Sequence, residues 1–183
     1  MKNSMINTAI TVTRLVLVTV IVFFLMYLGI IVYSNLNPDF FEKWVWLDIT
    51  KSDSIDFRFG QTKAPGSLSL QDIGPLALAW LYIRMSAYFV LVFLMIKKGL
   101  SILLSVKNHE TFHVQNVKYF KQLSLLALII AAFKCLIISP SGDHYLFNFN
   151  LPFEPLLFSL ACRVMAEVFL EGGRLSEDSN SII

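Results

Sequence analysis

The sequence predicts an all-α membrane protein, a four transmembrane helix bundle with a small β-rich extracytoplasmic cap. Three observations predict it. Of 183 residues, 56% are hydrophobic and only 15% charged, a balance far more apolar than that of a soluble domain. The apolar residues come in runs of the length a bilayer demands, and between those runs lie short aromatic and β-branched stretches with strand-like alternation. A formal net charge of +2 argues against direct nucleic-acid binding, so the placement of the positive charges matters more than their sum.

Residues 15–33, LVLVTVIVFFLMYLGIIVY, carry no charge, and a helix of about 20 such residues crosses a hydrocarbon core. No small-residue cleavage site precedes the polar stretch at Ser34, so the segment is expected to remain as an anchor rather than a signal peptide. Further spans are expected at about residues 75–96, 119–138 and 155–170. The connection between the second and third, residues 97–118, holds Lys97, Lys98, Lys107 and Lys118, with Lys121 just beyond, whereas residues 139–154 contain no Lys or Arg. The positive-inside rule therefore makes the middle loop cytoplasmic, together with both termini and the tail 171–183. Lys2 and Arg14 agree with that orientation. The long outer loop 34–74 has Lys43, Lys51, Arg58 and Lys63, but Asp39, Glu42, Asp48, Asp53 and Asp56 interrupt them, and long loops weigh little in the rule.

In that loop, WVWLDI (44–49) and SIDFRF (54–59) flank the turn-forming Thr50-Lys51-Ser52-Asp53, which predicts a hairpin. In the second outer loop HYLFNFNL (144–151) alternates aromatic and polar residues, and is expected to add a third strand from a distant part of the chain. Cys135 and Cys162 both lie inside apolar runs and are expected as small packing residues rather than a disulfide or metal pair.

Four ionisable residues fall within the expected spans: Arg84, Lys134, Arg163 and Glu167. Charges at such depth face a bundle interior or a wet cavity. Counted inward from Pro75 and Pro155 at roughly 1.5 Å per residue, Arg84 and Arg163 lie about 12 to 14 Å below the outer surface and Glu167 about 18 Å. Arg163 and Glu167 are four apart on one helix face, the spacing of a helical ion pair. Such a cluster fixes helix packing, forms a cavity for an anionic head group or substrate, or carries protons.

Residues 108–113, NHETFH, contain H-E-x-x-H, in which His109 and His113 would hold zinc and Glu110 would act as general base. That chemistry needs the two histidines one turn apart on a helix, plus a third ligand. His144, the remaining histidine, belongs to the opposite side in this topology. Moreover, Phe112 and a polar capping position before VQNVKYFKQLSLL predict a helix that starts after the motif, with Val114, Val117 and Phe120 on one stripe. No metal and no cofactor are therefore expected.

The residues Phe112, His113, Asn116, Lys118 and Lys121, with Phe169, Gly172, Leu175, Glu177, Asp178 and Ile182 near the C-terminal end, resemble the pattern of the bacterial four-pass membrane family catalogued as domain-of-unknown-function family 2975. The sequence departs from it at His113, where Ser or Thr is commoner, and at Asn180-Ser181, where a Leu-Thr pair is commoner. The resemblance implies a protein of the bacterial cytoplasmic membrane, often encoded beside a helix-turn-helix regulator, and supplies no activity. The expected function is a non-enzymatic sensor or regulatory membrane partner, surrounded by the lipid bilayer, self-associating or contacting a cytoplasmic regulatory protein through 97–121 and 174–183. A small transporter or channel subunit built on the Arg/Glu cluster, and a zinc metalloprotease using HETFH, are the alternatives from other classes.

Overall fold

The computed structural model describes residues 2–37, 45–49, 55–59, 67–69, 75–108, 112–141, 144–149 and 151–181. Among them four helices form: α1 (Lys2–Leu36), α2 (Pro75–Lys107), α3 (Val114–Cys135) and α4 (Phe153–Ser181). Stretches of α1, α2 and α3 are long and apolar enough to cross a membrane. Short strands lie between the helices: β1 (Val45–Ile49), β2 (Ile55–Phe59), β3 (Ser67–Ser69), β4 (Leu136–Ser141) and β5 (His144–Phe149).

The backbone of α1 satisfies its own polar groups, as a helix in hydrocarbon must. Its hydroxyls do the same: Thr8, Thr11, Thr13 and Thr19 each donate to the carbonyl four residues back, at 2.8 to 3.0 Å. From Thr11 to Tyr33 no side chain is buried, and large apolar groups such as Leu15, Phe23 and Met26 stand exposed. Such an extent of bare apolar surface calls for lipid rather than water.

The chain divides into two compact units. The first comprises residues 1–22, 88–132 and 152–183. Its core joins Ile102 of α2, Leu123 of α3 and Cys162 of α4, with Met95, Val106, Tyr119 and Phe120 packed around them. Helices α3 and α4 run antiparallel here, since Phe120 meets Phe169 while Ser124 meets Ser159. The Ser159 hydroxyl donates to the Ser124 carbonyl at 3.0 Å and lies 2.9 Å from the Ser124 hydroxyl. Ala127, Ala131 and Ala166 are also buried, small residues that let helix backbones approach closely.

The second unit comprises residues 23–87 and 133–151. In it the Tyr27 hydroxyl of α1 donates to the Tyr82 carbonyl of α2 at 3.1 Å. Strands β1 and β2 pair antiparallel with Leu47 opposite Phe57, and β3 joins the other edge of β1. Strand β5 pairs with β4.

Four features differ from the expectation. HYLFNF does not extend the first sheet: β3 holds that place, and β5 pairs with the strand immediately before it. Local pairing closes a short loop, which costs less entropy than recruiting a distant strand. The third helix stops at Cys135 rather than 138, because Ile137 and Ile138 favour strand and Pro140 disfavours helix at Ser139. The second helix continues past 96 to Lys107; the Lys97-Lys98 pair breaks the apolar run, and residues 99–106 still suit a helix. The fourth expected span is helical but falls short of the other three helices in apolar length among the described residues, since Arg163 and Glu167 interrupt it and Glu154 precedes it.

Ser159→Ala removes the hydroxyl that links α4 to α3. It is expected to lower resistance to unfolding by about 0.6 to 1.7 kcal/mol, the range for hydrogen bonds between membrane helices. Ser101→Ala, whose hydroxyl bonds only within its own helix, should change it by less than about 0.5 kcal/mol. Titration of the purified protein from mild detergent into denaturing detergent measures both.

Candidate functional site

The connection between α2 and α3 and the C-terminal part of α4 meet in the first unit. Helix α2 ends at Lys107, with the Asn108 amide donating back to the Leu104 carbonyl at 3.1 Å. Helix α3 then opens on His113, whose ring Nδ1 accepts the Gln115 amide at 3.1 Å and whose carbonyl accepts the Asn116 amide at 2.8 Å. His113 is thus the N-cap, a role its ring fills in place of the usual Ser, Thr, Asp or Asn.

Asn116 stands one turn later and is wholly buried. Its Nδ2 donates to Ser105 Oγ of α2 at 2.9 Å. A buried amide joined across two helices fixes their register, since sliding either one would break the bond in a low-dielectric setting. Two turns earlier in α2 the Lys98 ammonium lies 5.1 Å from the centre of the Tyr119 ring, a cation–π pairing between the same helices.

Phe112 ties this connection to α4. Its ring lies 5.7 Å from that of Phe169, and Phe169 in turn lies 4.9 Å from Phe120, both pairs tilted, the arrangement aromatic quadrupoles favour. Gly172 makes the contact feasible: a Cβ there would stand 2.5 Å from Phe112 Cε1. Gly173 is less tight, its would-be Cβ falling 3.2 Å from the Phe112 carbonyl oxygen. Two adjacent helix positions without side chains therefore seat an aromatic residue from the loop. The neighbouring Glu171 and Arg174 form an exposed ion pair at 3.5 Å, which contributes little.

The residues singled out from sequence distribute unequally. Arg84 and Lys134, both half-buried, belong to the second unit, and Arg163 and Glu167 to the first. Arg163 and Glu167 have exposed side chains, and the ion pairs among the described residues do not include one between them. Arg163 follows Cys162, which packs against Leu123, two residues from Lys121, so it is level with the lysine-bearing parts of α2 and α3. His109 and Glu110 lie outside the described residues. His113 precedes α3 instead of lying within a helix, and its Nδ1 is committed to capping. Among the described residues no group of three His, Cys, Asp or Glu side chains converges as a metal site would require.

Sequence reasoning placed Phe112 before a helix and Asn116 within it, but missed that Phe112 sits on Gly172 and that Asn116 bonds Ser105. The Gly172-Gly173 pair inside an otherwise well-patterned helix was the available signal, because glycine there costs about 1 kcal/mol relative to alanine and asks for a reason.

Gly172→Val is expected to unseat Phe112 and speed tryptic cleavage after Lys107 by about 2- to 10-fold, the equivalent of one lost aromatic contact. Phe112→Ala should do the same, and the double substitution should add little, since both remove one contact. Limited proteolysis of the purified protein, followed by mass spectrometry of the fragments, reads all three. No protein-family model, curated protein or solved structure matches this chain.

Proposed function

We propose that the chain is a multi-pass protein of a bacterial cytoplasmic membrane that acts without enzymatic activity, as a sensor or regulatory subunit. In this reading residues 97–118 and 171–183, with both termini, face the cytoplasm. The strands β1 to β5 lie on the outer side as a small cap where a signal is received. Residues 15–33, 75–96 and 119–135 cross the bilayer, and α4 crosses with the help of its packing against α3.

The single observation that carries the proposal is Phe112 seated on Gly172. It joins the loop between α2 and α3 to the end of α4, so that two segments distant in sequence present one surface. Lys118, Glu171 and Arg174, on the segments so joined, have exposed side chains, polar features suited to a soluble partner. The lysine-rich character of that side supports its cytoplasmic orientation. The resemblance to the bacterial four-pass family supports a regulatory protein as partner, and that partner reads nucleic acid while this chain does not. The reading by which Arg84, Arg163 and Glu167 form a transport pathway gains less support, since Arg163 and Glu167 point away from the protein interior.

A photo-crosslinking amino acid placed at Lys118 or at Leu175 in living cells tests the proposal. One protein adduct of the same mass is expected from both positions, and none from Val22 of the apolar α1. Gly172→Val should reduce both adducts at least about 2-fold, in line with the loss of one aromatic contact. Failure to obtain an adduct from either position, with the protein present in the membrane at normal level, contradicts it.

A further inference from the structure

Two side-chain donors of α2, both in the second unit, lack an acceptor. The Trp80 indole Nε1 is buried and makes no hydrogen bond among the described residues. Arg84, one turn further along, is half-buried, and neither a carboxylate nor an aromatic ring pairs with it among the described residues. Residues four apart on a helix share a face, with Cβ atoms about 5 to 6 Å apart. Leu91, two turns beyond Arg84 on the same stripe, is buried, whereas Ile83 and Val90 on a neighbouring face stand exposed. The two donors thus lie on the side of α2 turned towards protein rather than lipid.

Each donor is costly as it stands. A buried N–H without an acceptor has lost its bond to water and gained nothing in return. A tryptophan that merely marked the membrane interface would keep its indole N–H wet, and here the nitrogen is shielded. A water molecule could satisfy the indole, but it would leave the guanidinium, which stays charged and carries five N–H donors, uncompensated. Ionisable residues within a membrane span pair with one another or face a ligand pathway. An oxyanion satisfies both groups at once, since the guanidinium fork matches phosphate or carboxylate oxygens and the indole donates one further bond. At a rise of about 1.5 Å per residue, Trp80 and Arg84 lie about 8 and 14 Å along α2 from Pro75. A long arginine side chain reaches the phosphate level of a bilayer from there.

We propose that Trp80 and Arg84 form a binding site for a phosphate group, carried on a lipid head or free in solution. The site deepens the sensor reading by giving the signal a chemical class. Its placement on the outer side rests on that reading, whereas the binding itself does not.

The tryptophans of the chain are Trp44, Trp46 and Trp80, so Trp44→Phe with Trp46→Phe leaves Trp80 as the sole indole emitter of the full-length protein. In maltoside detergent, which carries no phosphate, this protein is titrated with inorganic phosphate or with short-chain phosphatidylglycerol, against sodium chloride of equal ionic strength. A saturable shift of Trp80 emission to longer wavelength is expected as its N–H gains an acceptor. A response to phosphatidylglycerol alone assigns the site to a lipid head, and a response to inorganic phosphate assigns it to a soluble ligand. Arg84→Gln should raise the half-saturating concentration at least about 10-fold, the loss of one charge-assisted hydrogen bond. It should leave resistance to denaturing detergent undiminished, because it removes a charge that has no partner in the fold. Arg163→Gln should change neither. No Trp80 response beyond that to chloride would overturn the site, as would an unaltered response in Arg84→Gln. A clear loss of stability in Arg84→Gln would also overturn it, since the arginine would then serve the fold. Adducts at Lys118 and Leu175 are read independently, so failure of this site and failure of the regulatory reading are told apart.

Discussion

In a bilayer, helices gain nothing by hiding apolar side chains from a solvent that is itself apolar, so close approach and hydrogen bonds must hold them together. Everything in the first unit depends on how α3 meets that constraint. Its buried positions are Asn116, Val117, Leu123, Ser124, Ala127, Ile130 and Ala131, and several of these are small or polar. Ser124 bonds Ser159 of α4, and Asn116 bonds Ser105 of α2. With α3 fastened to a neighbour on each side, the ends of α2 and α4 are brought to it, and the loop between α2 and α3 has a fixed place to fold.

That placement leads to the two features of functional interest. At the ends of the helices the loop residue Phe112 packs on the glycine pair Gly172-Gly173, and two stretches of chain are brought together. Beside Gly99 the helices of this unit leave an apolar groove. The same packing therefore leaves a polar face at the helix ends and an apolar cleft in the same unit. Neither requires a metal, and His113 is used by the structure to start a helix.

Much of the helical framework was legible because it rests on apolar run length, which sequence records directly. Helix α3 starts where the capping pattern after Phe112 put it, at Val114. The boundary at Cys135 was less legible: residues 136–138 are apolar, and run length alone cannot say whether such residues continue a helix or pair as a strand. Pairing of β5 with β4 was hidden for the same reason, as the partner lay inside an expected span. The site was legible in its residues and not in its contacts. Phe112, Asn116, Phe169 and Gly172 could each be picked out, whereas their meeting depends on the antiparallel register of α3 and α4, which periodicity does not encode. The charges of α4 show the converse, since their spacing invites an Arg163–Glu167 pair that its exposed face does not form.

The most direct test of the account is the register of α3 against α4. The hydroxyl oxygens of Ser124 and Ser159 are 2.9 Å apart, close enough that cysteines in their place should reach the roughly 2.05 Å of a disulfide with small adjustments. Ser124→Cys with Ser159→Cys, in a chain whose Cys135 and Cys162 are replaced by alanine and which carries a protease site between β4 and β5, can be oxidised mildly in membranes and then cut. The account predicts fragments that stay joined until a reductant is added. Fragments that separate without reductant, from protein still folded in the membrane, would contradict it.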